Sequence, residues 1–372
     1  MSNQKSKTPA LRAGASVENR KSKVPVTRWD NLLGPRRNIV YVVVCVVALA
    51  GLLFIPRLSL TGFALASLTT ALLLATRAQA WNFIGGYTGY AAFGNVAFYG
   101  LGAYGTAILM TQAHWPFFPA MIAGALVATV YAVIIGLPVL RLRGQYFAIA
   151  TLGVAEATRE LVSSPQLSKL TAGPTGINLP FYRPAGLSGA AAAEAGNIYF
   201  YYVAVGLLVV VVLATWLLTR SKLGYSLVAI REDEEAAKML GINTTWAKVA
   251  AFALSAFFTG LVGGHYAYWR TFILPEEVFN VRYTLDGILS AVLGGPGTIL
   301  GPVIGGGIYD AVASFLIFSK PFGIDLGQFH VTILGLFIVL VIIFLPRGIA
   351  DFFGRRKLSW GMFLENVRQN RV

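Results

Sequence analysis

One short segment of the chain concentrates charge between long apolar runs. Residues 229–248 read AIREDEEAAKMLGINTTWAK, and six of the eight residues from Arg231 to Lys238 are charged. Four of the chain's sixteen carboxylates are adjacent there: Glu232, Asp233, Glu234 and Glu235. A charged segment of this kind is either a solvated loop or a surface that receives a partner.

The charged segment carries the start and stop signals of a short helix. Asp233 can cap its first turn, because a side-chain oxygen at that position accepts hydrogen bonds from unpaired backbone amides. Glu234 and Glu235 then complement the positive end of the helix, and Lys238 suits the negative end. Gly241 stands where a left-handed residue would end it. We therefore predict a short helix between Asp233 and Gly241.

The predicted helix has one apolar face. Ala236, Met239 and Leu240 share that face by their spacing of three and four residues. The small side chains of Ala236 and Ala237 leave room for a partner to approach closely. Composition alone favours a solvated helix without a partner, and the residue pattern leaves a docking helix open.

Several kinds of chemistry are missing from the sequence. No G-x-x-x-x-G-K-[ST] motif occurs, so we expect no ATP to be bound by a phosphate loop of this chain. The histidines at 114, 265 and 330 stand in no H-E-x-x-H pattern, and Cys45 is the single cysteine, so neither a metal site nor a bound cofactor is expected. We expect no enzymatic activity, since no nucleophile–base arrangement is visible. His265, within GGHYAYW, is predicted to be a water-facing residue in an interfacial aromatic belt.

The composition identifies the elements that surround the charged segment. The chain has 372 residues, of which 56% are hydrophobic and 12% charged, against about 25% charged in globular proteins. Apolar runs of about 20 residues, long enough to cross a bilayer, recur along it. We predict an all-α, polytopic transmembrane helical bundle of about ten spans with Gly-interrupted segments. The predicted spans are 38–56, 60–80, 86–110, 117–139, 144–162, 198–219, 246–268, 283–295, 299–318 and 328–346.

The distribution of charge predicts the orientation. The net charge is +14, but residues 1–37 alone hold nine Lys/Arg against two carboxylates, and residues 346–372 hold six against two. Basic flanks of apolar spans mark the cytoplasmic side, so membrane orientation explains the charge better than nucleic-acid binding does. The predicted regions are a disordered, basic, cytoplasmic tail (1–37), a transmembrane permease domain (38–346) with a cytoplasmic loop (220–245) and an external loop (163–197), and a basic cytoplasmic tail (347–372).

Two segments are rich in glycine. Residues 85–105 contain seven glycines and residues 287–307 contain eight, with GGPGT at 294–298 expected to separate two spans. Small residues either let helices pack closely or permit breaks whose backbone lines a pathway. Both readings stay open. The candidate pathway residues are Gly85, Gly86, Tyr87, Gly89, Gly94, Asn95, Gly294, Gly295 and Gly297.

Few ionisable residues lie within the predicted spans. Asp286 and Asp310 are the main carboxylates, and a carboxylate within a membrane is a functional hypothesis by default. They keep an ion-coupled secondary transporter open as an alternative. Glu156 lies near a span end beside Arg159, where pairing or solvent can satisfy it.

The residue order within the charged segment resembles that of a known family. Glu235, Ala236, Ala237 and Gly241 read E-A-A-x-x-x-G, which resembles the cytoplasmic signature of bacterial ABC importer permeases. Residues 81–351 resemble the LivM-type permeases of branched-chain amino acid ABC transporters. The segments that carry the likeness are NFIGGYTGYAAFGNVAFYGLGAY, LRLRGQYFAIATLG, AGPTGI, LGGPGTILGPVIGG and LPRGIAD. The chain departs from the family at Asn95, where members often have histidine.

The resemblance implies one half of a pathway for branched-chain or related amino acids, coupled to a separate ATPase through a cytoplasmic helix. It implies these partners: a second homologous permease subunit, two ABC ATPase subunits that use ATP and Mg²⁺, and a periplasmic binding protein, at the bacterial inner membrane. The implied docking residues are Glu232, Asp233, Glu234, Glu235, Ala236, Ala237, Met239, Leu240 and Gly241. A permease for urea, amides or aromatic acids and a membrane subunit without a pathway remain alternatives.

Overall fold

The structure is a computed structural model. It describes residues 49–58, 61–184, 186, 188–318, 332, 333, 335, 336, 348 and 349. The predicted 1–37 tail lies outside the described residues, as do most of spans 38–56 and 328–346 and of the tail 347–372. The chain divides into two compact units, Met1–Ile55 and Pro56–Val372. The described residues of the first unit are helical at 49–54, and everything below concerns the second unit.

The second unit is helical nearly throughout its described residues. Its helices are α1 (Gly62–Asn82), α2 (Gly85–Thr88), α3 (Asn95–Thr111), α4 (Phe117–Val139), α5 (Gln145–Ser163), α6 (Ser168–Thr171), α7 (Gly189–Thr219), α8 (Lys222–Glu232), α9 (Glu234–Met239), α10 (Thr244–Arg270), α11 (Pro275–Val278), α12 (Arg282–Gly294) and α13 (Gly301–Phe318). Two short strands, β1 (Ile177–Asn178) and β2 (Phe272–Ile273), pair antiparallel.

Several of these helices can cross a membrane. Four are long and apolar enough among the described residues: Gly62–Thr88, which joins α1 and α2, and the helices α4, α7 and α10. A shorter apolar helix covers Gly301–Ile317. The predicted all-α polytopic bundle is therefore confirmed, and the number of ten spans stays a prediction.

The span predicted at 86–110 is wrong as a single helix. Helix α2 ends at Thr88, residues 89–94 form no helix, and α3 begins at Asn95. Gly89 follows α2 with a φ of +76°, a conformation that terminates a helix and suits glycine. The apolar pattern continues across this break, so hydropathy alone does not reveal it.

The second half of the first glycine-rich segment serves close packing. Helix α10 packs against α3 and α4. A Cβ atom on Gly102 of α3 would lie 2.2 Å from the carbonyl oxygen of Gly260 on α10. A Cβ on Gly263 would lie 2.0 Å from the carbonyl oxygen of Tyr99. Here glycine lets two backbones touch, as small residues do in membrane helix pairs.

The second glycine-rich segment forms a tight helical hairpin. Helix α12 ends at Gly294 and α13 begins at Gly301, which confirms that GGPGT separates two helices. A Cβ on Gly294 would lie 1.8 Å from the carbonyl oxygen of Gly301. Both helices pack against α1, which also contacts α7.

The charged segment and the β-strand pair lie at opposite ends of α10. Helix α10 begins at Thr244, just after the charged segment, and ends at Arg270, just before β2. Its 27 residues span about 40 Å. The loops 220–245 and 163–197 are therefore separated along this helix, as the predicted topology requires. Which end faces the cytoplasm stays a prediction.

Two expectations about polar residues have different outcomes. The prediction that His265 faces water is wrong, because His265 has no exposed surface. Its Nε2 lies 2.9 Å from the carbonyl oxygen of Phe200. The rings of Phe200 and Trp269 surround it inside the bundle, and its Nδ1 has no hydrogen-bond partner among the described residues. Glu156 is paired as expected, since Arg159 bridges it and Glu160.

Candidate coupling and transport site

The charged segment folds as two helices, α8 and α9, which we call the charged helix pair. Asp233 joins them in an extended conformation, and its Oδ1 accepts from the amides of Glu235 at 2.9 Å and Ala236 at 3.1 Å. Gly241 follows with a φ of +81°. The predicted cap, short helix and left-handed end are confirmed.

The charged helix pair presents an apolar tip. Met239 is 90% exposed and Leu240 is 80% exposed, and Ala236 is exposed beside them. Ala237 is only 1% exposed, so it packs inside the chain and offers no contact to a partner. The prediction that Ala237 leaves room for a partner is therefore wrong, because other residues of this chain cover its side chain.

Glu234 turns into the bundle instead of towards solvent. Its Oε2 accepts from the hydroxyl of Tyr90 at 2.5 Å, and its Oε1 lies 3.0 Å from Nζ of Lys248. Lys248 also donates to the carbonyl oxygen of Leu140 at 2.9 Å and to Tyr90 at 3.0 Å. The Lys248 side chain is only 5% exposed, so this carboxylate is its internal counterion.

The pKa of Glu234 follows from these contacts. Burial raises it, but the hydrogen bonds from Tyr90 and Lys248 and the charges of Lys248 and Arg143 outweigh burial and lower the pKa to about 2. Hydrogen bonds and positive charges favour the ionised carboxylate. Glu234 is therefore ionised throughout the physiological pH range.

The remaining carboxylates of the segment lie at the surface. Glu235 pairs with Arg143, which lies in the turn between α4 and α5, and with Lys238 at 3.5 Å. Glu232 and Asp233 are exposed. Exposed pairs of this kind contribute little to stability. The acid in the segment is thus divided between an internal ion pair, a helix cap and a charged surface.

A second contact joins the charged helix pair to both glycine-rich segments. Nη1 of Arg231, at the end of α8, donates to the carbonyl oxygen of Gly86 at 2.7 Å. The Asn82 side chain ties the segments together, because Oδ1 accepts from the amide of Gly297 at 2.7 Å and Nδ2 donates to the carbonyl oxygen of Thr298 at 2.9 Å. We call these residues, Asn82, Gly86, Arg231, Gly297 and Thr298, the glycine junction.

The glycine junction leaves no room for larger side chains. A Cβ on Gly86 would lie 1.7 Å from Oδ1 of Asn82 and 2.5 Å from the amide of Gly297. Gly297 has a φ of +77°, and a Cβ there would lie 2.4 Å from Nη1 of Arg231. Glycine is therefore required at both positions by contact, and at Gly297 also by backbone conformation.

The other candidate pathway residues divide by location. Gly89 lies beside the junction, where a Cβ would be 3.5 Å from Cγ of Arg231, and Gly85 packs on the ring of Trp81. Gly94 packs against the backbone of Thr151 instead. Tyr87 is 2% exposed, while Gly294 and Gly295 form the hairpin end. Their role in a pathway stays a prediction.

Asn95, one of the predicted pathway residues, lines a small cavity. Its other lining side chains include Arg77, Trp81, Tyr99, Thr259 and Tyr283. The cavity measures about 10 Å³, enough for the centre of one water molecule. Nδ2 of Asn95 donates to Oγ of Ser255 at 2.9 Å, which fixes the orientation of the amide.

Arg77 is the member of this cavity that sequence reasoning missed. Arg77 interrupts the apolar run ALLLATRAQAW at residues 71–81. A single cation inside a predicted span is as strong a signal as a carboxylate. The sequence alone therefore indicates Arg77 as a candidate functional residue.

The fold and the site together define a polytopic α-helical membrane protein in which a charged helix pair is tied to a broken, glycine-rich core. A sequence model of the family described as branched-chain amino acid transport system / permease component matches residues 63–345. The chain belongs to this family.

Individual relatives agree with this placement. The chain is 31% identical over 287 residues to the high-affinity branched-chain amino acid transport system permease proteins LivM of Salmonella typhimurium and Escherichia coli. The match covers 72% of this chain and 65% of each LivM protein, so the chain spans about two thirds of the length of these relatives. It is also 29% identical over 125 residues to the autoinducer 2 import system permease protein LsrC of Shigella flexneri, covering 32% of this chain and 36% of that protein.

One solved structure also resembles the chain. PsaBC from Streptococcus pneumoniae in complex with Fab aligns with a TM-score of 0.41 and 12% sequence identity, over 78% of this chain and 94% of that chain.

Proposed function

We propose that this chain is a permease subunit of an ATP-driven importer and forms one half of the translocation pathway for branched-chain or related amino acids. The observation that carries the proposal is the contact of Arg231 with Gly86. It gives a helix pair with an exposed apolar tip a direct connection to α2, the short helix that precedes the break at residues 89–94. Movement of that tip can therefore change the backbone arrangement of the core.

The charged helix pair has the properties of a docking element for a separate ATPase. Met239 and Leu240 are apolar yet almost fully exposed, and burial of such side chains in a partner is favourable. The other side of the pair is held to the bundle by Glu234 and Arg231. Force applied at the tip is thus passed to the bundle instead of bending a loose loop.

The partners follow from family membership. We propose a complex with a second homologous permease subunit, two ABC ATPase subunits that bind ATP and Mg²⁺, and a periplasmic substrate-binding protein, in the inner membrane with both termini cytoplasmic. Branched-chain amino acids are the first substrate candidates because the LivM proteins carry that name. Import of urea, amides or aromatic acids is the second candidate.

A docking experiment tests the coupling role. Leu240→Glu should reduce retention of the ATPase on the tagged, membrane-purified complex, because it places a charge in the apolar contact. Leu170→Glu is the matched control, since Leu170 is also exposed, at 45%, but follows α5 at the other end of the bundle. Equal ATPase retention in both variants and wild type would show that the tip is a solvated surface.

A transport experiment tests the energy source. Leucine uptake into proteoliposomes with the complete complex and binding protein should require internal ATP and survive collapse of ion gradients by ionophores. Uptake without ATP that ionophores abolish would instead identify an ion-coupled transporter. Its carboxylates would then be Asp286, which accepts from Tyr309 at 2.6 Å, and Asp310.

A further inference from the structure

The strongest unexplained feature of the bundle is the cation of Arg77. It lies near the middle of the Gly62–Thr88 span, between two tyrosine rings. Cζ of Arg77 lies 4.8 Å from the ring centroid of Tyr283 and 5.6 Å from that of Tyr99. Nη1 donates to the carbonyl oxygen of Tyr283 at 3.4 Å. Nε is buried and has no hydrogen-bond partner among the described residues.

The groups facing Arg77 are also incompletely satisfied. Asn95 and Thr259 line the same cavity, and each is only 4% exposed. Oδ1 of Asn95 and Oγ1 of Thr259 have no hydrogen-bond partner within the described part of the chain. Buried polar groups are nearly always paired, so three unpaired groups around one cavity mark it as a place where a polar ligand can bind.

The carboxylate of Asp310 on α13 lies within electrostatic range of Arg77 but forms no ion pair with it. Among the residues that the structure describes, no carboxylate forms an ion pair with Arg77. Asp286, one turn from the cavity residue Tyr283 on α12, instead accepts from Tyr309 at 2.6 Å and lies 3.9 Å from Arg282. An arginine that lies inside a membrane span and forms no ion pair with a described carboxylate is costly, which makes it a functional-site hypothesis by default.

The chemistry of the three groups selects the ligand. A guanidinium presents paired N–H donors that match the two oxygens of a carboxylate. The Thr259 hydroxyl can donate to one of those oxygens, and the Asn95 carbonyl can accept from an ammonium group next to the carboxylate. An α-amino acid carries both groups on one carbon.

We propose that Arg77, Asn95 and Thr259 form a subsite for the carboxylate end of the amino acid during its passage through the bundle. This rests on the proposed function and adds to it a place and a recognised group. The cavity is too small for an amino acid in this structure, because about 10 Å³ admits one water molecule. Opening therefore requires movement of the helices around it.

The glycine junction is placed to control that opening. Arg77 and Asn82 are both on α1, five residues apart, or about 8 Å along the axis. Asn82 holds Gly297, and Gly297 packs on Arg231 of the charged helix pair. A displacement of α8 thus reaches the helix that carries the subsite.

The test uses the complete complex in proteoliposomes with leucine-loaded binding protein. Arg77→Met should lower leucine uptake about tenfold or more, because a charge-assisted contact to the substrate is lost. Stimulation of ATP hydrolysis by the loaded binding protein should stay within about twofold of wild type. Arg77→Lys should restore uptake in part, since it keeps the charge without the paired donors. Arg220→Met is the matched control, because Arg220 also stacks on an aromatic ring, that of Trp216 at 4.0 Å, outside the cavity.

A second variant keeps the proposal testable if Arg77→Met fails to assemble. Thr259→Val preserves shape and removes the orphaned hydroxyl, and it should lower leucine uptake several-fold with the complex intact. Wild-type uptake in Thr259→Val or in an assembled Arg77→Met complex would overturn the proposal. Failure of the proposed function is distinguishable, because the wild-type complex itself would then show no ATP-dependent uptake.

Discussion

Nη1 of Arg231 lies 2.7 Å from the carbonyl oxygen of Gly86, and this hydrogen bond joins the charged surface of the protein to its membrane core. The two residues are 145 positions apart in the chain. Asn82 and Gly297 complete the contact by holding the second glycine-rich segment against the first. Hydrogen bonds of the glycine junction therefore connect α8 of the charged helix pair to the interior helices.

The glycine junction should not tolerate a methyl group. Gly86→Ala would force a Cβ to within 1.7 Å of Oδ1 of Asn82, so the bond from Asn82 to Gly297 must break. We expect leucine uptake to fall at least about tenfold, because small misplacements at a working site cost that much or more. Gly206→Ala is the control, since nothing lies within 4 Å of a Cβ there. Uptake that falls equally in both variants, or in neither, would contradict the role of the junction.

The pair of Glu234 and Lys248 should stabilise the contact between α9 and α10. Removing either partner leaves the other poorly paired, and Glu234→Gln should cost about 1.5–3 kcal/mol. The double variant Glu234→Gln with Lys248→Met should be less destabilised than the sum of the single variants, because neither charge is then stranded. Melting temperatures of the purified protein in detergent measure this. Additive losses would show that the two side chains do not interact.

The same pair predicts a pH dependence. The pKa of Glu234 is lowered from 4.5 to about 2, so its stabilising effect is fully present above about pH 4.5 and is lost as the pH falls towards 2. The difference in melting temperature between wild type and Glu234→Gln should be constant from pH 5 to pH 8 and shrink in acid. A difference that changes between pH 6 and pH 8 would mean that Glu234 is not the ionised partner.

Much of the fold can be predicted from the sequence, because helices that cross a membrane are visible as long apolar runs. Apolar runs give α4 to the residue and α10 to within two residues at each end, whereas α7 begins nine residues before its predicted start at 198. The charge and turn residues around Asp233 give the cap and the end of α9. The break at residues 89–94 could not be predicted from the sequence, because distant residues stabilise it. The amide of Phe93 donates to Oγ1 of Thr151 at 3.1 Å, and Nε1 of Trp81 donates to the carbonyl oxygen of Ala92 at 2.9 Å.

The candidate site was predicted in its parts but not in its connections. Sequence reasoning found the glycines and the charged segment separately, whereas the contact between Arg231 and Gly86 depends on tertiary packing. Ala237 is interior although its neighbour Ala236 is exposed, because adjacent residues on a helix point about 100° apart. Glu234 is an internal counterion for a reason that no local pattern contains, namely the position of Lys248 on the next helix.

The orientation of the chain is a further prediction. With Cys45→Ala as background, a cysteine at Ser188 should react in intact cells with a membrane-impermeant thiol reagent, and a cysteine at Ser226 should not. The two positions lie near opposite ends of the bundle, at the start of α7 and within α8. Labelling at Ser226 but not at Ser188 would reverse the orientation, and labelling at both would refute the separation.

The most direct test of the account is the variant Arg231→Met in the complete transporter. It removes the hydrogen bond to Gly86 while leaving the apolar tip and the pair of Glu234 and Lys248 in place. Lys222→Met, an exposed cation at the start of the same helix, is the matched control. We predict that the Arg231→Met complex retains its ATPase and hydrolyses ATP within about twofold of wild type, yet loses leucine uptake by about tenfold or more, because the junction no longer transmits movement. Uptake equal to that of Lys222→Met would contradict the claim that the charged helix pair acts on the core through Arg231.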